Sequence, residues 1–121
     1  MSDKLVADFN KAGGGKTFEE GGSIGLQVTC FGEELLEFNE AMAAYVANPS
    51  PEKRANMIKE WGDVRVTHSN FAWFFSFDPE EAFNRVSENN MTKVVDGKVI
   101  HREDGKILKP EGYKKPDMGG L

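Results

Sequence analysis

The sequence has a single cysteine, no long apolar run and no excess of positive charge. The lone thiol, Cys30, excludes a disulfide scaffold and fits a reducing compartment. No stretch approaches the roughly 18 consecutive apolar residues of a membrane-spanning helix, and the segment Met1 to Lys16 lacks the apolar core of a signal peptide. We therefore expect a cytoplasmic protein with no membrane partner.

Acidic residues outnumber basic ones, 20 to 15, which gives a formal net charge of −5. Grooves for nucleic acid and contacts with anionic membranes require clustered Lys and Arg, so we expect neither partner. An acidic protein can still bind phosphates through a bridging cation. With 121 residues there is room for one domain with a modest core, and oligomerisation is therefore an expectation.

The spacing of apolar residues predicts four helices. A short first helix should stop at Gly13-Gly14-Gly15, because glycines in series hold helical geometry poorly. Ser23, Ser50 and Asp78 are candidate N-caps of the next three helices. The second and third helices should pack antiparallel through two apolar seams, formed by Val28, Phe31, Leu35, Phe38, Met42 and Tyr45 and by Met57, Trp61, Val64, His68, Phe71 and Phe75. In that position His68 is interpreted as a core histidine rather than a ligand.

The pattern changes after Lys93. The turn signals Asp96-Gly97 and Asp104-Gly105 predict a small hairpin or an extended arm. We predict one all-α domain over residues 1–121, with a helical core over 1–93 and a C-terminal arm over 94–121. Residues 71–75 are apolar on every side of their helix, which favours burial against a second subunit.

Two pairs of acidic residues lie on the predicted hairpin, Glu34 with Glu37 and Glu60 with Asp63. At about 100° per residue, both pairs are offset from their seams in the same rotational sense, and both lie equally far from the turn at Asn48. The hairpin should bring the four carboxylates together on one flank, a solvated acidic face being the alternative. Mg²⁺ prefers carboxylate oxygens and keeps coordination sites for water and phosphate, so we predict a Mg²⁺ site.

Two further pairs are candidates for substrate binding. Gln27 and Asn70 continue the acidic flank and should face each other, either for base or ribose recognition or as amides that satisfy each other. Asn90 ends a stripe on the fourth helix, and Lys93 lies three residues further on. This stripe could place Lys93 in the cleft as a phosphate-binding cation, or the lysine could be solvated at a frayed helix end.

Two segments of the sequence resemble a known enzyme family. Glu33-Glu34-Leu35-Leu36-Glu37, followed after 22 residues by Glu60-Trp61-Gly62-Asp63, resembles the EExxE and ExxD signature of MazG-like all-α nucleoside triphosphate pyrophosphohydrolases. The segment 86–93, with 96–98 and 102–109, is similar to the end of small, phosphoribosyl-ATP pyrophosphohydrolase-like members common in tailed bacteriophages. The resemblance covers almost the whole chain and is weakest over 13–22.

The resemblance implies a four-helix MazG-like bundle that forms a homodimer or a homotetramer. It implies that Glu34, Glu37, Glu60 and Asp63 ligate Mg²⁺ or Mn²⁺ and that Asn90 and Lys93 approach the nucleotide. Asn89 stands where many relatives have serine, which leaves open which asparagine faces the ligand.

The implied reaction converts a nucleoside or deoxynucleoside triphosphate to the monophosphate and pyrophosphate. One alternative is a phage enzyme specialised for a single deoxynucleotide such as dGTP. The other, from a different class, is a non-catalytic helical adaptor.

Overall fold

The computed structural model describes residues 2–121, so Met1, which the predicted domain includes, lies outside it. It contains α1 (Ser2–Ala12), α2 (Ile24–Ala47), α3 (Pro51–Phe75) and α4 (Pro79–Met91). The only β-type pairing in this part of the chain is two isolated bridges, which confirms the predicted all-α class. None of the described helices is both long enough and apolar enough to span a membrane.

The chain divides into two compact units, Met1–Phe77 and Asp78–Leu121. The division falls before α4, whereas the sequence placed the boundary between core and arm after this helix. The interpretation as a single domain stays a prediction.

Three helices begin at the predicted caps. The hydroxyl of Ser23 accepts a hydrogen bond from the backbone N–H of Leu26 at 3.1 Å, and that of Ser50 accepts one from Lys53 at 3.1 Å. The carboxylate of Asp78 accepts from two N–H groups in the first turn of α4. Each cap satisfies backbone donors that the helix leaves free, so the sequence fixes these starting points locally.

The helices α2 and α3 pack on each other and are joined by Asn48, Pro49 and Ser50. So short a connection makes them an antiparallel hairpin, as predicted. The seams are only partly buried: Phe31, Phe38, Tyr45, Met57, Val64 and Phe71 are half-buried, while Val28, Leu35, Met42, Trp61 and Phe75 are exposed. The prediction of a core histidine is wrong, because His68 is exposed and stacks on Phe31 with the ring centroids 5.3 Å apart.

The loop between α1 and α2 folds over the end of α3. Phe18 donates its backbone N–H to the carbonyl of Phe74 at 2.9 Å, and the Phe74 ring is fully buried. A Cβ at Gly22 would lie 2.7 Å from this ring, so only glycine fits there. Phe74 is thus buried within its own unit, whereas Phe75 is exposed, and burial of residues 71–75 against a second subunit stays a prediction.

Polar contacts hold α1 against α3. The hydroxyl of Ser69, which is buried, donates to Asp3 Oδ1 at 2.6 Å and accepts from Arg65 Nη1 at 2.6 Å. Near the other end of α1, Asn10 Nδ2 donates to Asn70 Oδ1 at 2.9 Å. These bonds satisfy polar side chains whose transfer from water without a hydrogen-bond partner would cost free energy.

In the second unit the arm forms two turns and then returns to α4. Asp96 and Gly97 both have positive φ, as the first predicted turn requires, and Val95 pairs with Lys98 across it. His101 and Ile107 pair across the second turn. The predicted hairpin therefore exists only as isolated bridges.

Candidate metal site

Three carboxylates from two helices come together on the hairpin. Glu34 and Glu37 lie on α2 and Glu60 lies on α3, and one oxygen from each lies within 4.8 Å of the other two. Residues three apart share one face of a helix, which explains the first pair. The hairpin brings Glu60 to the same flank, as the sequence predicted.

Two oxygens of this group are buried and have no hydrogen-bond partner among the described residues: Oε2 of Glu34 and Oε2 of Glu60. Buried carboxylate oxygens normally accept hydrogen bonds or bind cations, because an unpaired oxygen loses the free energy of its hydration and gains no contact in return. A bound cation would supply the partner that these two atoms lack.

The electrostatics point the same way. Burial raises the pKa of the Glu34 carboxyl above its usual value, and the negative charges of Glu37, Asp63 and Glu60 raise it further. The ammonium group of Lys59 acts in the opposite direction and is the weakest of these influences. The site thus favours positive charge on or beside Glu34.

The fourth predicted ligand, Asp63, lies outside the close group of three. Its Oδ2 forms an ion pair with the ammonium group of Lys59 at 2.6 Å. The side chain of Asp63 is 36% exposed, whereas that of Glu60 is 13% exposed. The physical reason is an ion pair between residues four apart on one helix. Its charge still reaches Glu34, as the raised pKa shows. We call Glu34, Glu37, Glu60 and Asp63 the acidic cluster.

Lys59 is the counter-ion that the sequence reasoning missed. Besides Asp63 it contacts Glu60 Oε1 at 3.5 Å. The hydrogen bond with Asp63, and then the charges of Asp63 and Glu60, raise the pKa of Lys59. The signal was present in the sequence, since Lys59 is adjacent to one predicted ligand and four residues before another. Its single positive charge neutralises only part of the negative charge of the cluster.

The donor set of the acidic cluster fits a hard divalent cation. It offers oxygen ligands, with neither histidine nor thiolate in the close group, which favours Mg²⁺ or Mn²⁺ over Zn²⁺. A cation would supply the contact that the unpaired oxygens lack. Glu33 and Glu40, the other two acidic residues of α2, are exposed.

The amide pair of the same flank is arranged differently from the prediction. Asn70 Oδ1 accepts from Asn10, and no hydrogen bond joins Asn70 to Gln27 within residues 2–121. Gln27 is half-buried. The two amides therefore do not satisfy each other, and their part in base or ribose recognition stays a prediction.

The second unit holds the other two predicted substrate residues. Lys93 Nζ donates to Asn90 Oδ1 at 3.0 Å. Both polar atoms of Asn89 are used within the unit, because Oδ1 accepts from the Tyr113 hydroxyl and Nδ2 donates to the Lys114 carbonyl, each at 2.8 Å. Of the two asparagines, Asn90 is the one that keeps its amide nitrogen without a partner in the described chain.

Comparison of the chain with known protein families and with curated proteins found no match. No relative therefore assigns a function. The chemistry of the acidic cluster is the basis for inferring one.

Proposed function

We propose that this chain is a Mg²⁺-dependent, MazG-like pyrophosphohydrolase that converts a nucleoside or deoxynucleoside triphosphate to the monophosphate and pyrophosphate. One observation carries the proposal: the buried, unpaired oxygens of Glu34 and Glu60 within a group of three carboxylates. The carboxylates of such a group repel one another, and added positive charge would stabilise it. The resemblance to the EExxE and ExxD signature connects this charge with hydrolysis of a phosphoric anhydride.

The four residues of the acidic cluster would hold the metal ion. When bound, Mg²⁺ supplies positive charge that offsets the triphosphate and makes nearby water more acidic. Glu37 is the exposed member of the close group, so solvent water reaches its carboxylate. We assign to Glu37 the acceptance of the proton from the attacking water.

Lysines at two places have opposite roles. Lys59 shares its charge between Asp63 and Glu60, and its side chain is 65% exposed, so it can turn into solvent when a stronger cation binds. Lys93 would bind a non-bridging phosphate oxygen, with Asn90 beside it. Gln27 and Asn70 are the candidate contacts for base or ribose.

A second copy of the chain is the proposed macromolecular partner. Large apolar side chains of the hairpin lie open to solvent, with Leu26, Val28, Leu36 and Trp61 each more than half exposed. Soluble monomers rarely leave so many apolar side chains uncovered on one helical pair. A homodimer or homotetramer would cover them, and sedimentation of the purified chain tests this, since a monomer at every concentration contradicts it.

The activity is tested with a panel of ribo- and deoxynucleoside triphosphates, dGTP among them, incubated with Mg²⁺ and analysed by chromatography. We expect a monophosphate and pyrophosphate in equal amounts. Glu60→Gln should abolish the reaction, whereas Glu40→Gln, an exposed acid of α2 outside the cluster, should preserve it. Release of orthophosphate, or no product from any nucleotide, contradicts the proposal, and the latter is what a helical adaptor would give.

A further inference from the structure

Two lysines share one aromatic ring in the second unit. Lys93 Nζ lies 5.7 Å from the centroid of the Tyr113 ring, and Lys109 Nζ lies 5.3 Å from it. Lys93 follows the end of α4, while Lys109 comes from the arm. Contacts with a ring face stabilise an ammonium group, so the Tyr113 ring contacts both cations.

Neither lysine has a carboxylate partner in residues 2–121. Lys93 donates instead to the neutral amide oxygen of Asn90, and Lys109 forms no ion pair there. Two ammonium groups on one ring repel each other, and the ring offsets only part of this repulsion. The two ammonium groups can therefore bind an anion that carries negative charges on neighbouring groups.

The position of the ring is fixed by α4. The Tyr113 hydroxyl donates to Asn89 Oδ1, and Asn89 Nδ2 donates to the carbonyl of the next residue, Lys114. Arg85, one turn earlier on α4, donates to the carbonyls of Asp117 and Gly119 at 3.3 and 2.8 Å. The tail is thus attached along α4 at several points, and Asn89 sets where the ring meets Lys93.

We propose that Lys109 is a second phosphate-binding residue beside Lys93, and that Tyr113 and Asn89 are positioning residues for this pair. The ligand class is a polyphosphate chain, which offers adjacent negative groups to the two ammonium groups. Identifying that chain as the triphosphate of a nucleotide rests on the proposed function. A duplex nucleic acid is disfavoured by the net charge of −5.

Binding of inorganic triphosphate to the full chain, measured by calorimetry without divalent metal, tests the pair apart from the acidic cluster. Lys93→Gln and Lys109→Gln should each weaken binding about tenfold, the loss of one charge-assisted contact. Lys98→Gln is the matched control, because this exposed arm lysine forms no ion pair in the described chain. Orthophosphate should bind more weakly than triphosphate.

The positioning role has its own variants. Tyr113→Leu should weaken triphosphate binding as much as Lys109→Gln does, and Lys109→Arg should restore most of the affinity. Tyr113→Phe keeps the ring but loses the bond to Asn89, so its effect should be intermediate. Thermal unfolding of each variant shows whether it is folded, and the comparison uses folded variants only.

The outcomes separate this inference from the proposed function. Wild-type affinity in Lys109→Gln, an equal loss in Lys98→Gln, or no binding of triphosphate at millimolar concentration overturns the lysine pair. If the chain hydrolyses no nucleotide but binds triphosphate through both lysines, the proposed function fails and the pair stands. If it is active, Lys109→Gln should raise KM about tenfold with kcat unchanged, and an unchanged KM overturns the pair alone.

Discussion

Glu34 of α2 and Glu60 of α3 meet across the hairpin with carboxylate oxygens within 4.8 Å, and each keeps one buried oxygen unpaired. Two carboxylates so close repel each other unless a proton or a cation lies with them. The hairpin therefore stores unfavourable electrostatic free energy that a divalent cation would remove. Metal binding and stability should be linked.

Mutation of Glu34 should have opposite effects on stability with and without metal. In Glu34→Gln a neutral amide replaces the repelled carboxylate, so we expect the metal-free variant to unfold a few degrees above the wild type. The same change should weaken Mg²⁺ binding by about 100-fold or more, because a ligand is lost. Thermal unfolding with and without Mg²⁺ measures both effects. Equal stabilisation of wild type and variant by Mg²⁺ would show that Glu34 is not a ligand.

The response to pH follows from the raised pKa of Glu34. Because the folded state holds this proton more tightly than the unfolded state, its contribution to stability is full below the ordinary pKa of a glutamate. That contribution is lost as the pH rises through the raised value. Magnesium competes with the proton, so its affinity should fall as the pH drops through the same range. Titration calorimetry at several pH values measures this, and Glu34→Gln should flatten the profile.

Removal of Lys59 should favour the metal. Its ammonium group already pairs with Asp63 and Glu60, and a divalent cation must compete with it. For Lys59→Gln we expect Mg²⁺ affinity about threefold to tenfold higher, the size of a partly exposed charge contact. Lys53→Gln on the first turn of the same helix is the control and should leave the affinity unchanged. Weaker binding in Lys59→Gln would mean that the lysine supports the site.

The packing of the loop over α3 predicts a cost for Gly22→Ala. A Cβ there would overlap the Phe74 ring and backbone carbonyls, so the free energy of unfolding should fall by about 2–3 kcal/mol. Gly25→Ala in the first turn of α2 is the matched control, because its Cβ would meet only Ser23 Oγ at 3.7 Å. We expect a gain of about 0.5–1 kcal/mol there. Chemical denaturation measures both, and equal effects would exclude the proposed contact.

Local rules accounted for the helix boundaries. Ser23, Ser50 and Asp78 act through hydrogen bonds within their own first turns, so short stretches of sequence determine them. The contact between Glu34 and Glu60 could also be predicted from helical geometry and one short turn. Helical geometry sets the rotation of each residue about its helix axis, and the turn sets its height along the hairpin.

The remaining contacts depend on segments far apart in the chain. Periodicity placed His68 in the seam but could not show that the loop between α1 and α2 packs over the end of α3, where Phe74 is buried. Asn70 pairs with Asn10 because α1 packs on α3, and nothing in the local pattern of either segment indicates this. The attachment of Tyr113 to Asn89 likewise depends on how the tail returns to α4.

A titration of Mn²⁺ followed by electron paramagnetic resonance examines the metal site itself. The wild type should bind Mn²⁺ and release it when Mg²⁺ is added, and the variant with both Glu34→Gln and Glu60→Gln should bind neither ion. The variant with both Glu33→Gln and Glu40→Gln, which loses the same charge from exposed positions, should bind like the wild type. Equal Mn²⁺ binding by all three proteins would contradict a metal site at the acidic cluster.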